Sequence, residues 1–173
     1  MKLAESEGIR LITIFEDEWV SRRPQVENFI KHTLGIFEKK IFARKCDIKQ
    51  VSNKEARNFL DKNHIQGKST GIHFGLYFND ELIAVISGGT HHRQNVTDSG
   101  IFVLIRLCFK SGYSIPGGAS RLFKALVAYT TTKGYTKIVS WSDNRWSIGN
   151  VYEKIGFTLE EELGPDYSYT KKQ

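Results

Sequence analysis

The chain has 173 residues, 40% of them hydrophobic and 12% aromatic, which is enough to bury one ordinary core. No apolar run approaches the roughly 20 residues needed to span a membrane, and residues 1–8 carry two acids and no apolar signal core, so a soluble, cytoplasmic protein with no membrane partner is expected. Cys46 and Cys108 have neither metal-ligand nor disulfide spacing, His91 and His92 have no further ligand near them in sequence, and no metal site is expected.

The formal net charge of +6 is unevenly distributed. Arg22, Arg23, Lys31, Lys39, Lys40, Arg44, Lys45, Lys49 and Lys54 face only Glu27, Glu38 and Asp47 over that stretch. Such a stripe suits a phosphate backbone, with Arg44, Lys45 and Lys49 as its contacts, and it equally suits a plain solvated surface.

In chain order, residues 9–15 are rich in β-branched side chains and predict a buried strand. Trp19, Val20, Val26, Phe29, Ile30 and Leu34 then recur at helical intervals, with Pro24 near the helix start and Gly35 at its end. A basic strand is expected over 42–51, with Cys46 buried in it. Ser52 and Glu55 form a capping-box pattern for a helix running to Asn63 and His64. A polar loop over 64–71 leads into a hairpin, whose strands 72–78 and 81–87 turn at Asn79-Asp80.

The loop 88–100 carries His91, His92 and Arg93, and 101–109 is a nearly continuous apolar strand, as at a sheet centre. A turn over 112–118 opens a helix with Leu122, Phe123, Leu126, Val127 and Thr130 on one face, ended by Gly134. A strand at 137–141, a short helix to Lys154, and strands at 157–159 and 167–170 complete the reading. From Phe42 the order is β-α-β-β-β-α-β-α-β-β, without internal repeats.

The most informative stretch is Ser114-Ile115-Pro116-Gly117-Gly118-Ala119-Ser120, between a buried strand and a helix. Small residues there let backbone amides converge on a phosphate at a helix N-terminus. A plain turn that uses glycine for its dihedrals fits as well. Tyr152-Glu153-Lys154-Ile155-Gly156-Phe157 follows about thirty residues later.

The strand order, the Gly-Gly-Ala loop and this ending together resemble the GNAT N-acyltransferases from Phe42 onward. The family's loop motif is Gln/Arg-x-x-Gly-x-Gly/Ala; here the glycine and alanine match and the leading position is Ser114. The resemblance implies an α/β (α+β) fold, with a mixed, mostly antiparallel central sheet flanked by helices, spanning 41–173. It also implies acetyl-CoA or another acyl-CoA as cofactor, held by Ser114, Gly117, Gly118, Ala119 and Ser120.

Asn63-His64-Ile65-Gln66-Gly67, Gly117-Gly118-Ala119-Ser120, Ser142-Asp143-Asn144-Arg145-Trp146-Ser147 and Tyr152 further resemble the phage Mom branch, which modifies adenine N6 in DNA. The same module is similar to the C-terminal part of phage homing-type endonucleases. There it follows a Vsr-like nuclease whose closing strand and helix resemble residues 1–40. The implied function is acyl transfer from acyl-CoA to a nucleobase amine in DNA, in the host cytoplasm if the gene is a phage's. The alternatives are a catalytically silent DNA-binding module and an N-acetyltransferase acting on a protein or small amine.

Acyl transfer to an amine needs orientation, a route for the amine's proton and an acid for the departing thiolate. By resemblance Tyr152 occupies the place of the acid, and a phenol is protonated at neutral pH; it can also simply pack. His64 and Asp143 are the candidate bases, the first equally a helix C-cap and the second equally an N-cap. Arg106, alone in an apolar strand, must meet an acid, a phosphate or the substrate. Trp146 could stack on an extruded base or belong to the core, and Trp141 reads as core. His91 and Arg93 complete the candidate substrate contacts.

Overall fold

In a computed structural model, residues 4, 6–9, 11–90, 100–146 and 150–164 are described. His91, His92, Arg93, Ser147 and the strand expected at 167–170 lie outside these residues. The chain forms two compact units, one of residues 1–23 with 142–173 and one of residues 24–141.

The larger unit is built on a five-stranded sheet in the order β2-β3-β4-β5-β7. Its strands are β2 (Asp47–Gln50), β3 (Ile72–Phe78), β4 (Glu81–Thr90), β5 (Ile101–Phe109) and β7 (Lys137–Val139). The first four run antiparallel, and β7 joins β5 in parallel. A separate parallel pair joins β1 (Lys39–Lys40) to β6 (Tyr113–Ser114). Mixed α/β architecture with a mostly antiparallel sheet is thus as the sequence predicts.

The β3–β4 hairpin turns on Asn79 and Asp80 at φ of 50° and 62°. Positive φ at both central residues is the condition for the tight turn that matches strand twist, and short polar residues meet it most cheaply after glycine.

Each face of the sheet carries one helix. On one lies α3 (Asn53–Asn63), whose Ala56, Phe59 and Leu60 pack with Val51, Val85 and Cys108. Ser52 caps this helix, its hydroxyl accepting from the Glu55 amide at 3.3 Å. The Glu55 carboxylate is engaged by the Tyr77 hydroxyl at 3.0 Å, so only the Ser52 arm of the predicted box is seen. The other face takes α4 (Gly118–Thr132), with Gly118, Leu122, Leu126 and Thr130 buried in register every fourth residue. Val127 is 37% exposed, because a stripe with that spacing turns position 127 outward. Phe74 and Phe102 both meet Tyr129 of α4 edge-on.

One polar pair sits inside this core. His73 is 1% exposed and Ser87 is fully buried opposite it. Asn53 presents Oδ1 to His73 Nε2 at 2.9 Å, so Nε2 donates. Nδ1 is then left to accept from the Ser87 hydroxyl at 2.7 Å. The imidazole is neutral and fully engaged, and it pins the first residue of α3 to the middle of the sheet.

The helix α2 (Arg23–Thr33) places Pro24 in its first turn, where no intrahelical donor is needed, and Gly35 follows at φ 73°. Gln25 donates to the carbonyls of Asp61 and Lys62, and Asn28 accepts from the Gly112 amide at 2.8 Å.

Several expected strands are shorter or absent, and each lacks the same thing. Residues 11–15 are not a strand, and Ile9, Leu11 and Phe15 are about half exposed. β-Branched residues favour extended backbone, but a strand persists only where a neighbour completes its ladder. Phe15 instead precedes α1 (Glu16–Ser21), and its amide donates to Glu18 at 3.1 Å. The stretch 42–51 divides into a 3₁₀ turn at Ala43–Lys45 and the strand β2, which leaves Cys46 buried outside any strand. The strand at 137–141 ends at Val139, with Trp141 46% exposed rather than in the core. Residues 157–159 form no strand.

No helix among the described residues is long and apolar enough to cross a membrane. Both cysteines are buried, which pushes each thiol up from its ordinary value and keeps it protonated at neutral pH.

Leu60→Ala should cost about 2–5 kcal/mol in chemical denaturation, because the side chain is fully buried between α3 and the sheet. Ser52→Ala should cost only about 1 kcal/mol, the worth of one cap. Burial lowers the pKa of His73 below the ordinary histidine value of about 6.5, so the unfolded chain takes up its proton first. The stability His73 contributes is therefore present above that value and is lost as pH falls through the lower folded value. Melting temperature should drop on acidification below about pH 6.5, and His73→Gln should flatten the slope. His32, lowered by burial in the same direction, and Glu81, lowered by its bond to Lys110, contribute to what slope remains. A wild-type profile as flat as the variant's would show that His73 is not the group responsible.

Candidate active site

β5 and β7 are in register over only three pairs, Ile101 with Lys137, Phe102 with Ile138 and Val103 with Val139. The Ser140 hydroxyl adds a bond to the Leu104 carbonyl at 3.0 Å, after which β5 continues to Phe109 with no β7 residue beside it. On its other side β5 stays paired to β4 as far as Phe109. Between Ser87 and Gly88 that ladder shifts, pairing them with Arg106 and Leu104 and leaving Ile105 as a bulge. Among the described residues no strand pairs with this side of β5 beyond Val103, and this half of the strand, which carries the local kink, leads directly into the glycine loop.

The loop itself is governed by two close approaches. Gly117 sits at φ 80° as the N-cap of α4, a conformation that side chains other than glycine's rarely adopt. A Cβ on Gly118 would meet Phe109 at 2.7 Å and Ile115 at 3.1 Å, so only glycine lets the helix begin against the end of β5. The Gly118 amide is used within the turn, donating to the Ile115 carbonyl at 2.9 Å. The first bond into the helix is Arg121 to Gly117, at 3.1 Å. No acceptor among the described residues meets the Ala119 and Ser120 amides. These two donors stand at the positive end of a 15-residue helix, an arrangement that can accept an anion.

The segment 39–46 runs along this loop. Lys40 pairs with Ser114, the Ile41 amide donates to the Ser114 carbonyl at 2.9 Å, and the Ala43 amide to that of Pro116 at 3.0 Å. Arg121 of α4 reaches back to the carbonyls of Ala43 and Cys46, the latter at 2.9 Å. Arg44 and Lys45 therefore lie in the 3₁₀ turn beside the loop, whereas Lys49 is on the edge strand β2, 5.2 Å from the Tyr77 ring and 4.0 Å from Asp80.

Arg106, Ser87 and His73 stand opposite one another on β5, β4 and β3, so the three share the face that carries α3. Arg106 is half-buried, and its Nη1 donates to the Ile105 carbonyl at the bulge, 2.8 Å away. His64 closes α3 as its C-cap, its amide bonded to the Leu60 carbonyl at 2.8 Å. Its Nδ1 accepts from the Gln66 amide at 3.1 Å. That fixes the neutral ring with its proton on Nε2.

In the smaller unit, residues 143–146 form a turn in which Asp143 Oδ1 accepts from the Arg145 amide at 3.0 Å. The Arg145 guanidinium then binds Asp143 at 2.7 and 3.2 Å and Glu18 at 3.1 and 3.2 Å, over the ring of Phe15. Asp143 is thus a turn residue with both oxygens engaged by a cation. Trp146 is 6% exposed, inside this cluster. Tyr152 lies on α5 (Asn150–Lys154), half-buried, with its ring edge-on to Phe157 at 5.5 Å.

Sequence reasoning passed over three contributors. Arg121 is one helical turn past Gly117, where an arginine reads as an ordinary surface residue until its carbonyl acceptors are known. His73 and Ser87 occupy inward positions of apolar strands. A polar residue in phase with the buried side of a strand was the available signal. No group of three His, Cys, Asp or Glu side chains among the described residues is arranged to hold a metal ion.

No protein-family model and no curated protein matches the chain. Solved structures do. An aminoglycoside acetyltransferase from an uncultured soil metagenomic sample, in complex with trehalose, superposes with a TM-score of 0.57 at 13% identity, over 74% of this chain and 98% of its own. The aminoglycoside N-acetyltransferase AAC(6')-Iy in complex with CoA gives 0.55 at 19% identity, over 72% and 100%. A transcriptional regulator from Bacillus halodurans gives 0.53 at 12% identity, over 70% and 99%. With its mostly antiparallel sheet and flanking helices, the chain has the fold of the GNAT acetyltransferases.

Proposed function

We propose that the protein is an acyl-CoA-dependent N-acyltransferase. The observation that carries this reading is the open edge of β5 leading into a helix N-terminus whose Ala119 and Ser120 amides have no acceptor among the described residues. A phosphorylated donor suits this loop: Gly117 and Gly118 carry no Cβ, and Ala119 keeps the first turn small. AAC(6')-Iy, which shares the fold, is a CoA-binding protein.

Acyl-CoA supplies a thioester whose carbonyl carbon an amine can attack. The Ala119 and Ser120 amides would hold the donor's diphosphate, with Ser114 and Gly117 shaping the approach. The Tyr152 hydroxyl carries the proton assigned to the departing thiolate. His64 carries its lone pair on Nδ1 toward Gln66, so it takes up the amine's proton only if that bond yields. Asp143, bound at both oxygens by Arg145, is better suited to shaping its turn than to accepting a proton. Arg106 is the charged group nearest the bulge and is assigned to substrate, with Trp146, His91 and Arg93 as further contacts.

For the acceptor we carry forward an exocyclic nucleobase amine in DNA, the adenine N6 position, supported by the resemblance to the Mom branch and by the net charge of +6. A small amine is the second reading, supported by the aminoglycoside acetyltransferases that share the fold.

Acetyl-CoA at about 100 times its dissociation constant should stabilise the protein by about 2.7 kcal/mol, seen as a rise in melting temperature. No shift at saturating acetyl-CoA would sink the enzyme reading. Thiol release measured with duplex DNA and with an aminoglycoside, followed by mass spectrometry of the digested nucleosides, separates the two acceptors. Tyr152→Phe should lower turnover by about 10²–10⁴-fold while leaving donor affinity unchanged. Full turnover in that variant would remove Tyr152 from the chemistry.

A further inference from the structure

In the family's motif the donor loop opens with Gln or Arg, and here that position is the shorter Ser114. Two cations stand close by, on a different element. Residues 39–46 are tied to the loop by the β1–β6 pairing, by the Ala43 amide to the Pro116 carbonyl at 3.0 Å, and by Arg121 through the Ala43 and Cys46 carbonyls. A Cβ on Gly117 would come within 3.7 Å of Ala43, so the two segments are in van der Waals contact. This short stretch presents Lys40, Phe42 and Arg44 to solvent. The Phe42 ring is 41% exposed, with Lys40 Nζ at 5.5 Å and Arg44 Cζ at 5.2 Å from its centre.

Cations clustered on one short segment repel one another until an anion sits among them. No carboxylate among the described residues pairs with Lys40, Arg44 or Lys45, whereas Lys49 further along the stripe has Asp80 and Lys68 has Asp61. The positive end of α4 adds to the same field. A single exposed cation is unremarkable. Two cations steadied on one ring, backed by a helix N-terminus and lacking any acid, form a receptor for an anion of more than one negative charge.

We propose that Lys40 and Arg44, held by Phe42, bind the anionic nucleotide end of the acyl-CoA donor, the 3′-phosphorylated ADP. The assignment rests on the donor reading above. It moves Arg44 from a DNA contact to a donor contact and adds Lys40 and Phe42, neither of which the loop motif includes. The pantetheine arm of the donor is uncharged, so the clamp discriminates between donors with and without the nucleotide.

The test is calorimetric titration of the full chain with acetyl-CoA and with S-acetylpantetheine, alongside retention of a DNA duplex. Wild type, the Lys40→Ala/Arg44→Ala double variant and Phe42→Ala are compared, each first shown to melt cooperatively. Wild type should prefer acetyl-CoA to S-acetylpantetheine, and the double variant should bind acetyl-CoA roughly tenfold more weakly, with S-acetylpantetheine and DNA unchanged. Phe42→Ala should weaken acetyl-CoA binding less, by roughly threefold. Equal acetyl-CoA binding by wild type and double variant would overturn the clamp and leave the donor reading standing. Loss of DNA retention with acetyl-CoA binding intact would return the patch to nucleic acid. No binding of either donor by wild type would overturn the clamp together with the donor reading.

Discussion

The parallel pairing of β5 with β7 ends after three residues, and the chemistry available to the larger unit depends on where it ends. Had β7 continued beside Arg106 and Phe109, β5 would be an interior strand with both edges closed. Because β7 stops at Val139, β5 projects past it with no further strand paired to that edge among the described residues. Gly118 then starts α4 in contact with Phe109, the last residue of that projection. Loop, helix terminus and open edge are consequently a single feature. A side chain at position 118 would displace the helix from the strand and separate the two amides from the edge they serve.

The electrostatics of this unit are arranged around the same point. Polar groups deep in the sheet are neutral and fully used, as His73 is between Asn53 and Ser87. Arg106 donates at the bulge itself, and Arg121 uses its charge to fasten the backbone of 43–46 beside α4. The cations with no carboxylate, Lys40, Arg44 and Lys45, are on the very segment that Arg121 fastens. Bringing a basic segment up to a helix N-terminus is unfavourable in isolation. It becomes favourable when an anion sits between the two.

Features whose stabilising partners lie nearby in sequence were legible from the sequence. The Asn79-Asp80 hairpin, the Ser52 cap of α3, the helix starting after Gly117 and its end at Gly134 all rest on residues a few positions apart. Features that need a distant partner were not. Residues 9–15 carry as good a strand pattern as Ile72–Phe78, yet no ladder forms on 11–15, and only a neighbour's position could have told the two apart. The break of 42–51 into a 3₁₀ turn and a shorter strand depends on Arg121, more than seventy residues away, which holds Ala43 and Cys46 by their carbonyls. Asp143 illustrates the same limit at a candidate site. Its place before a short helix suggested a cap or a base, and only the Glu18–Arg145–Asp143 bridge shows it committed to a cation.

The basic stripe follows the same logic, since a run of lysines and arginines in sequence specifies charge but not what the charge faces. Once folded, the stripe divides. Lys49 lies on an edge strand over Tyr77, near Asp80, as an ordinary solvated cation does. Arg44 and Lys40 share the Phe42 ring beside the donor loop. A duplex backbone would draw on exposed cations spread along the stripe, wherever its phosphates reach them. A small polyanion anchored at the Ala119 and Ser120 amides would draw only on the cations within its reach. The substructure of the stripe therefore suits the proposed compact, multiply charged ligand at this position, and on that reading part of the net charge of +6 serves the donor and not DNA.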